Sequence, residues 1–437
     1  MVSVLWRART QATPSRRARR GWVVVLVALG LVAAACGGDD GGDAPAARAS
    51  DDAAASGAPS GEPIKVMTSA PVNTQLPPYP NIPEAAKIYA EYINDKGGIN
   101  GRPLEVITCD DRGEANEAAN CARQAVEEKV VANVGSFTFD VSRGIDILRE
   151  ANIAWFGACC PIVQQEFSYE NSFVLGANFA ASTGAAVRMI EDGCKAPAAV
   201  VVELATTDLA RAQIENGYRS AGFDPAKAKF VTLPLTAQDY TSQVAQATDG
   251  TDCIYGGISD SNWLAFLPAM EATGAKQRLY GLQGNLNGKV AEQFPELTEN
   301  GVVVNSYTDI VSDVWTDYRD ALERYDAPDL DWNSLAGLGT WTAFTAFTQI
   351  VESMEGDITA ETFLEAASNT TAVDTGGMIN VIDLTKPYEG AAGSGEAGSF
   401  PRIFNRSVAY DVIHDGKLTP IDDKFYDMTN ALEGKPS

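Results

Sequence analysis

The sequence predicts an α/β protein of two doubly wound parallel-sheet lobes joined by a hinge that the chain crosses three times. Three observations carry this: a repeated switch between strand-like and helix-like periodicity, a length sufficient for two cores, and a last third too helical for a third sheet. In the first series, strand-like runs at 64–69, 104–108, 130–134 and 153–156 alternate with helical segments. The helical segments are a stripe of Ala85, Ile88, Tyr89, Tyr92 and Ile93 ended by Gly97 and Gly98, then 114–128 and 139–150. The second series repeats the plan, with helices at 181–191, 208–221, 239–247 and 262–273 and strands at 198–202, 229–233, 254–257 and 279–281. Right-handed crossovers between such units give parallel sheets covered by helices on both faces.

The last third holds a strand at 302–305, helices at 314–325, 335–354 and 360–368, and late strands near 378–383 and 408–414. It is expected to complete the first two lobes, with crossings near Val174, Val304 and Gly377. The expected lobes are 63–175 with 304–377, and 176–303 with 378–425, followed by a tail at 426–437. The small-residue stretch 391–399 reads as a surface loop.

Ahead of the lobes lies an export leader. Arg16, Arg17, Arg19 and Arg20 precede an apolar run from 22 to 35 that is short of the roughly 20 residues a membrane-spanning helix needs. Ala33, Ala34 and Ala35 then lead into Cys36, the expected lipid-anchor cysteine after cleavage. Lipoprotein leaders usually carry a larger aliphatic residue where this chain has Ala33, and plain secretion is the alternative. Arg19 and Arg20 stand where a twin-arginine signal wants hydrophobes, so the general secretory route is expected. Residues 37–62, rich in Gly, Asp, Ala, Ser and Pro, read as a flexible tether.

Six of the 33 basic residues lie in the leader, which leaves 27 against 58 acidic ones and a net charge near −31 for the mature chain. Such a surface repels nucleic acid and anionic lipid and favours solubility. Six cysteines remain beyond Cys36, an even number that suits an oxidising compartment. Cys109 ends a strand-like run and Cys121 lies on the next helix. Cys194 and Cys253 each precede a strand, so both pairs are expected as disulfides. Cys159 and Cys160 form a leftover vicinal pair with no visible histidine or basic residue to activate a thiol.

Catalytic signatures are nearly missing. The single histidine, His414, precedes Asp415 and Gly416 in what reads as a hairpin turn. No Gly-x-Ser-x-Gly elbow, zinc-spaced His/Cys cluster or P-loop occurs, so no enzyme activity, metal or cofactor is expected. Gly393, Gly395 and Gly398 match a dinucleotide fingerprint but neither follow a strand nor open a helix. Asp329, Asp331 and Asn333 resemble half a calcium loop, yet Ser334 replaces its glycine, and the segment reads as a helix approach.

In open α/β sheets a ligand sits beyond the carboxyl ends of the strands. Those ends nominate loops at 69–79, 136–139 and 157–160 in the first lobe, and at 206–208, 259–262 and 283–285 in the second. Ser136 and Thr138 are expected to open a helix whose free N–H groups suit a carboxylate; plain N-capping, with Asp140 at the positive end, is the competing reading. Tyr79 and Trp263 would favour a flat or apolar solute if they face the cleft, although Trp263 also suits the core.

Three stretches carry a family resemblance. "YINDKGGINGRPLEVITCDD" at 92–111, "VVANVGSFTFDVSRGIDILREANIAWFGACC" at 130–160 and "CIYGGISDSNWLAFLPAMEATGAKQRLYGLQG" at 253–284 resemble the leucine/isoleucine/valine-binding family of type I periplasmic binding proteins. The likeness runs over nearly all of 64–421, with the Gly-Gly-Ile-Asn-Gly turn its sharpest motif. It implies a lipid-anchored receptor outside the cytoplasmic membrane, a monomer, that gives a small polar or carboxylate-bearing solute to the permease and ATPase subunits of an ABC importer. It implies ligand contacts at Thr138, Cys159, Cys160, Thr206 and Gln283, to which the strand ends add Tyr79, Ser136 and Ser259. Thr138 would hold a ligand carboxylate, Thr206 takes the place of a covering tyrosine, and Gln283 replaces the glutamate that binds an ammonium group. A neutral amide attracts a cation weakly, so a zwitterionic amino acid is not the expected solute. A ligand sensor on the same fold and a secreted redox protein using Cys159 and Cys160 are the alternative functions.

Overall fold

Hydrophobic β-branched runs build two separate sheets in a computed structural model that describes residues 58–204, 207–234, 239–390 and 401–436. Cys36 and the glycines at 393–398 lie outside the described residues. The first sheet comprises β1 (Ile64–Ala70), β2 (Leu104–Asp110), β3 (Ala132–Val134), β4 (Ala154–Phe156) and β5 (Ser172–Phe173) in the order β2-β1-β3-β4-β5, all parallel. The second comprises β6 (Pro197–Val202), β7 (Lys229–Leu233), β8 (Cys253–Gly257), β9 (Arg278–Leu282), β10 (Val302–Asn305), β11 (Ser407–His414) and β12 (Lys417–Pro420) in the order β12-β11-β10-β9-β8-β6-β7, with β13 (Tyr426–Asp427) paired to β11.

The second sheet departs from the all-parallel expectation at one edge. β11 runs antiparallel to β10 and turns into β12 at Asp415 and Gly416, whose φ values of 50° and 74° form the two left-handed positions of a tight hairpin. His414 ends β11 at this turn, half-exposed, with Nδ1 2.9 Å from Glu299 Oε1.

Disulfides link Cys109 to Cys121, Cys194 to Cys253 and Cys159 to Cys160. The second follows from strand order, because β6 and β8 are parallel neighbours with Pro197 opposite Cys253.

The Gly-Gly-Ile-Asn-Gly turn has a physical cause. Gly98 sits at φ 74°, and a Cβ there would lie 2.2 Å from the Arg102 carbonyl oxygen. Asn94 ties the turn to the sheet, donating to the Leu104 carbonyl at 2.9 Å and accepting from its N–H at 2.8 Å.

The helix Leu335–Ser353 is apolar on nearly every side because it runs through the first-lobe core. Trp341 packs at 4.8 Å from Tyr89 and 5.0 Å from Tyr318, and Phe347 at 4.8 Å from Phe363. Each such buried ring contributes about 1.5–3 kcal/mol of transfer free energy. No helix among the described residues is long and apolar enough to cross a membrane.

Two boundaries differ from the sequence reading. Residues 378–383 form no strand; one bridge joins Val373 to Ile382, and Met378, Ile379, Ile382 and Leu384 pack into the first core rather than the second. The last crossing therefore falls between Leu384 and Ser407, where Ile403 bridges Val174 and the Asn405 amide donates to the Leu175 carbonyl. The helix expected from 139 begins at Ser142, because Asp140 accepts from both the Ser142 N–H and its hydroxyl and holds the preceding residues in a turn.

Candidate functional site

Both sheets point their carboxyl ends at one cavity of about 490 Å³, within the size range of small-molecule sites. The first-lobe wall comes from the loop after β1 (Pro77 to Asn81), the loop after β3 (Phe137, Phe139), the loop after β4 (Cys159 to Ile162) and the approach to the helix Leu335–Ser353. The second-lobe wall comes from the ends of β6, β8, β9 and β10 and from Ala181 and Ser182.

The first wall is aromatic and stiff. Tyr79 packs 4.6 Å from Phe137, and Phe137 packs 5.1 Å from Phe139. Tyr79 makes no hydrogen bond through its hydroxyl among the described residues; burial, helped by the charge on Asp260, pushes its phenol up to about 12. The Cys159–Cys160 disulfide joins this wall. Glu166 holds the loop beneath it, accepting from the N–H groups of Ile162 at 2.7 Å and Val163 at 3.0 Å and from Trp155 Nε1 at 2.9 Å. Burial outweighs those three donors and pushes its carboxyl up to about 7.

Tyr255, Ser259 and Gln283 on the second wall bond to protein partners. Tyr255 shares a 2.8 Å hydrogen bond with Ser182. The Ser259 hydroxyl donates to Asn262 Oδ1 at 2.7 Å and accepts from the Asn262 N–H at 3.2 Å, while Asn262 Nδ2 donates to the Tyr240 hydroxyl at 2.7 Å. Gln283 closes a two-bond ring on the crossing segment: its Nε2 donates to the Tyr307 carbonyl at 3.1 Å, and its Oε1 accepts from the Tyr307 N–H at 3.0 Å.

The lobes also meet at the cleft edge. Asn287 Nδ2 donates to Asp331 Oδ2 at 3.2 Å, and Gly284, at φ 74°, comes so close that a Cβ would lie 2.8 Å from the Leu335 nitrogen. Among the described residues, the charged side chains lining the cavity are Asp260 and Asp331, and no lysine, arginine or histidine lines it. Burial raises the Asp331 carboxyl above its ordinary value, with the charge of Asp260 adding to the effect.

Of the residues nominated from the sequence, Tyr79, Cys159, Cys160, Ser259 and Gln283 come together on this cavity. Ser136 and Thr138 lie beneath it. The Ser136 hydroxyl donates to Asn133 Oδ1 and accepts from the Ser69 N–H at 2.9 Å, and Thr138 faces a small internal space beside Asp111. The expected helix N-terminus at Ser136 and Thr138 is thus replaced by a turn, and neither hydroxyl lines the cleft. Thr206 lies outside the described residues, between Leu204 and Thr207, which line the cavity. Trp263 is fully buried in the second-lobe core. Phe137, Phe139 and Asp260 lie in nominated loops without having been singled out, and Tyr255 and Asp331 were not read as cleft residues. Alternation along 136–139 was the available signal, since hydroxyls and rings on opposite sides of an extended turn leave one set for the cleft.

Two facing α/β lobes, three connections and a cleft at the strand ends define a hinged solute-binding receptor. A family model described as periplasmic binding protein matches residues 80–390, and the chain belongs to that family. The fold matches solved structures at low identity. A possible leucine/isoleucine/valine-binding protein from Rhodopirellula baltica SH 1 superposes with a TM-score of 0.68 at 16% identity, covering 84% of this chain and 98% of that one. A fatty acid ABC transporter substrate-binding protein from Thermomonospora curvata gives 0.67 at 16%, covering 85% and 94%. An ABC transporter substrate-binding protein from Desulfitobacterium hafniense, in complex with Leu, gives 0.59 at 14%, covering 82% and 100%. None of the curated proteins matches the sequence.

Proposed function

We propose that this chain is a monomeric, extracytoplasmic receptor, tethered through a lipid on Cys36, that captures a small solute between its lobes and delivers it to an ABC importer. The observation that carries the reading is the single cavity of about 490 Å³ onto which both sheets converge, spanned at its edge by the Asn287–Asp331 contact. Closure about the three crossings would bury a solute, and the lobe rims would dock on the importer's membrane subunits. The relatives described with leucine or fatty acid lend support to a small-molecule ligand. Of the solutes expected from the sequence, a carboxylate-bearing one meets two carboxylates and no cationic side chain among the described residues of this cleft.

The test is to denature the purified chain, identify any retained solute by mass spectrometry, and return it to refolded protein while small-angle scattering follows lobe closure. Retention and a more compact form on rebinding are expected. A chain that retains nothing and keeps one shape against a broad metabolite panel would sink the receptor reading. Cys36→Ser should move the protein from the membrane fraction to the medium; unchanged membrane association would remove the lipid tether.

A further inference from the structure

We infer that the solute is an apolar molecule bearing no anionic group, neutral or positively charged at the end that meets Asp260 and Asp331. This inference rests on the receptor reading above and names the chemistry of that same cleft.

Three independent features converge on it. The contact surface is apolar: Tyr79, Phe137 and Phe139 form a continuous aromatic wall, with the Cys159–Cys160 disulfide beside it and Leu282 opposite. Rings of this kind bind hydrocarbon and also attract cations across their faces. Gln283, Ser259 and Tyr255 on the second wall each bond to protein partners, and the other polar side chains there besides Asp260, such as Asn285, are uncharged. The fixed charge is negative, from Asp260 and Asp331, and no basic side chain among the described residues lines the cavity.

Helix N-termini at the cleft would ordinarily favour an anion. At two of these ends the protein's own oxygens take first-turn N–H groups. Ser259 and Asp260 accept from the Asn262 and Ser261 N–H groups at the helix Asp260–Thr273, and Ser334 accepts from the Gly337 N–H at the helix Leu335–Ser353. A third, Thr207–Ser220, has the acidic Asp208 in its first turn, and the helices Asn81–Asp95 and Asn178–Glu191, which reach the cavity at Asn81 and Ala181, have no side-chain cap. A carboxylate entering beside Asp260 and Asp331 would face like charge with no cationic side chain among the described lining residues to offset it.

The experiment compares one skeleton with three head groups: phenylpropylamine, phenylpropanol and phenylpropanoate, titrated calorimetrically into the chain at pH 7. The amine and alcohol are expected to bind and the carboxylate to bind at least about tenfold more weakly, as Coulomb repulsion from nearby carboxylates requires. Asp260→Asn keeps an oxygen for the Ser261 N–H and should narrow the gap between carboxylate and alcohol; Phe139→Ala should weaken the binding members together. A carboxylate that binds as well as the alcohol overturns the inference while leaving a solute receptor in place. Silence with all three overturns the inference as well, and the receptor reading is then judged by the retained solute and lobe closure.

Discussion

The two walls of the cleft use opposite chemistry for the same geometric task. The first lobe presents rings, prolines and a disulfide whose surfaces are left for a ligand, whereas the second presents Tyr255, Ser259 and Gln283 with their hydrogen bonds already made. Residue type alone would assign recognition to the polar wall. The bonding assigns the polar wall to holding the frame and the apolar wall to contact, because a buried group that is already paired gains little from a new partner.

The largest expected effect separates the lobes through their staples. The Cys194–Cys253 bond spans 59 residues and the Cys109–Cys121 bond 12, so replacing each pair by alanine should cost about 4 and about 3 kcal/mol respectively by loop closure. Urea unfolding without reductant measures both, and the reverse order would show that loop length does not govern these staples. Gln283→Glu should come next, at on the order of 3 kcal/mol, because a carboxylate cannot donate to the Tyr307 carbonyl and would be buried unpaired. An unchanged unfolding midpoint would return Gln283 to the ligand-contacting role expected from the sequence.

Glu166→Gln should cost about 2 kcal/mol, since its amide sets a donor against Trp155 Nε1 or against the Ile162 and Val163 N–H groups. The sign of its pH dependence follows from a carboxyl raised in the fold to about 7 from an ordinary 4.5. Wild-type stability from this group is fully present below 4.5 and is lost as pH rises through 7. The variant lacks that slope, so the difference should shrink between pH 5 and pH 8, and parallel stability curves would contradict the assignment. Smallest is Tyr79→Phe, expected within about 0.5 kcal/mol because its hydroxyl has no partner among the described residues. A larger loss would mean that the contact wall also carries framework bonds.

Much of this architecture was legible in the sequence, for local reasons. Runs such as Ile64–Ala70 and Pro197–Val202 declare buried parallel strands, and the cysteine at the start of β8 follows from strand adjacency. Short elements were not legible: β5 is two residues long, and 378–383 looks strand-like while its apolar side chains serve the first core. The site was legible in position but not in facing. Thr138 and Ser136 were read toward the ligand, yet bonds to Asn133 and Ser69 turn Ser136 inward, and the alternating Phe137 and Phe139 line the cavity instead. The role of Gln283 depends on Tyr307, 24 residues away on a crossing segment, a pairing no local pattern encodes.

The helix Leu335–Ser353 sits inside a lobe that begins at Ile64. The early strands therefore emerge from the ribosome long before the segment that covers them, and the second sheet likewise waits for β11. Contacts this distant in sequence delay folding. Each core is therefore assembled from segments that lie hundreds of residues apart, and neither can be completed until nearly the whole polypeptide is available.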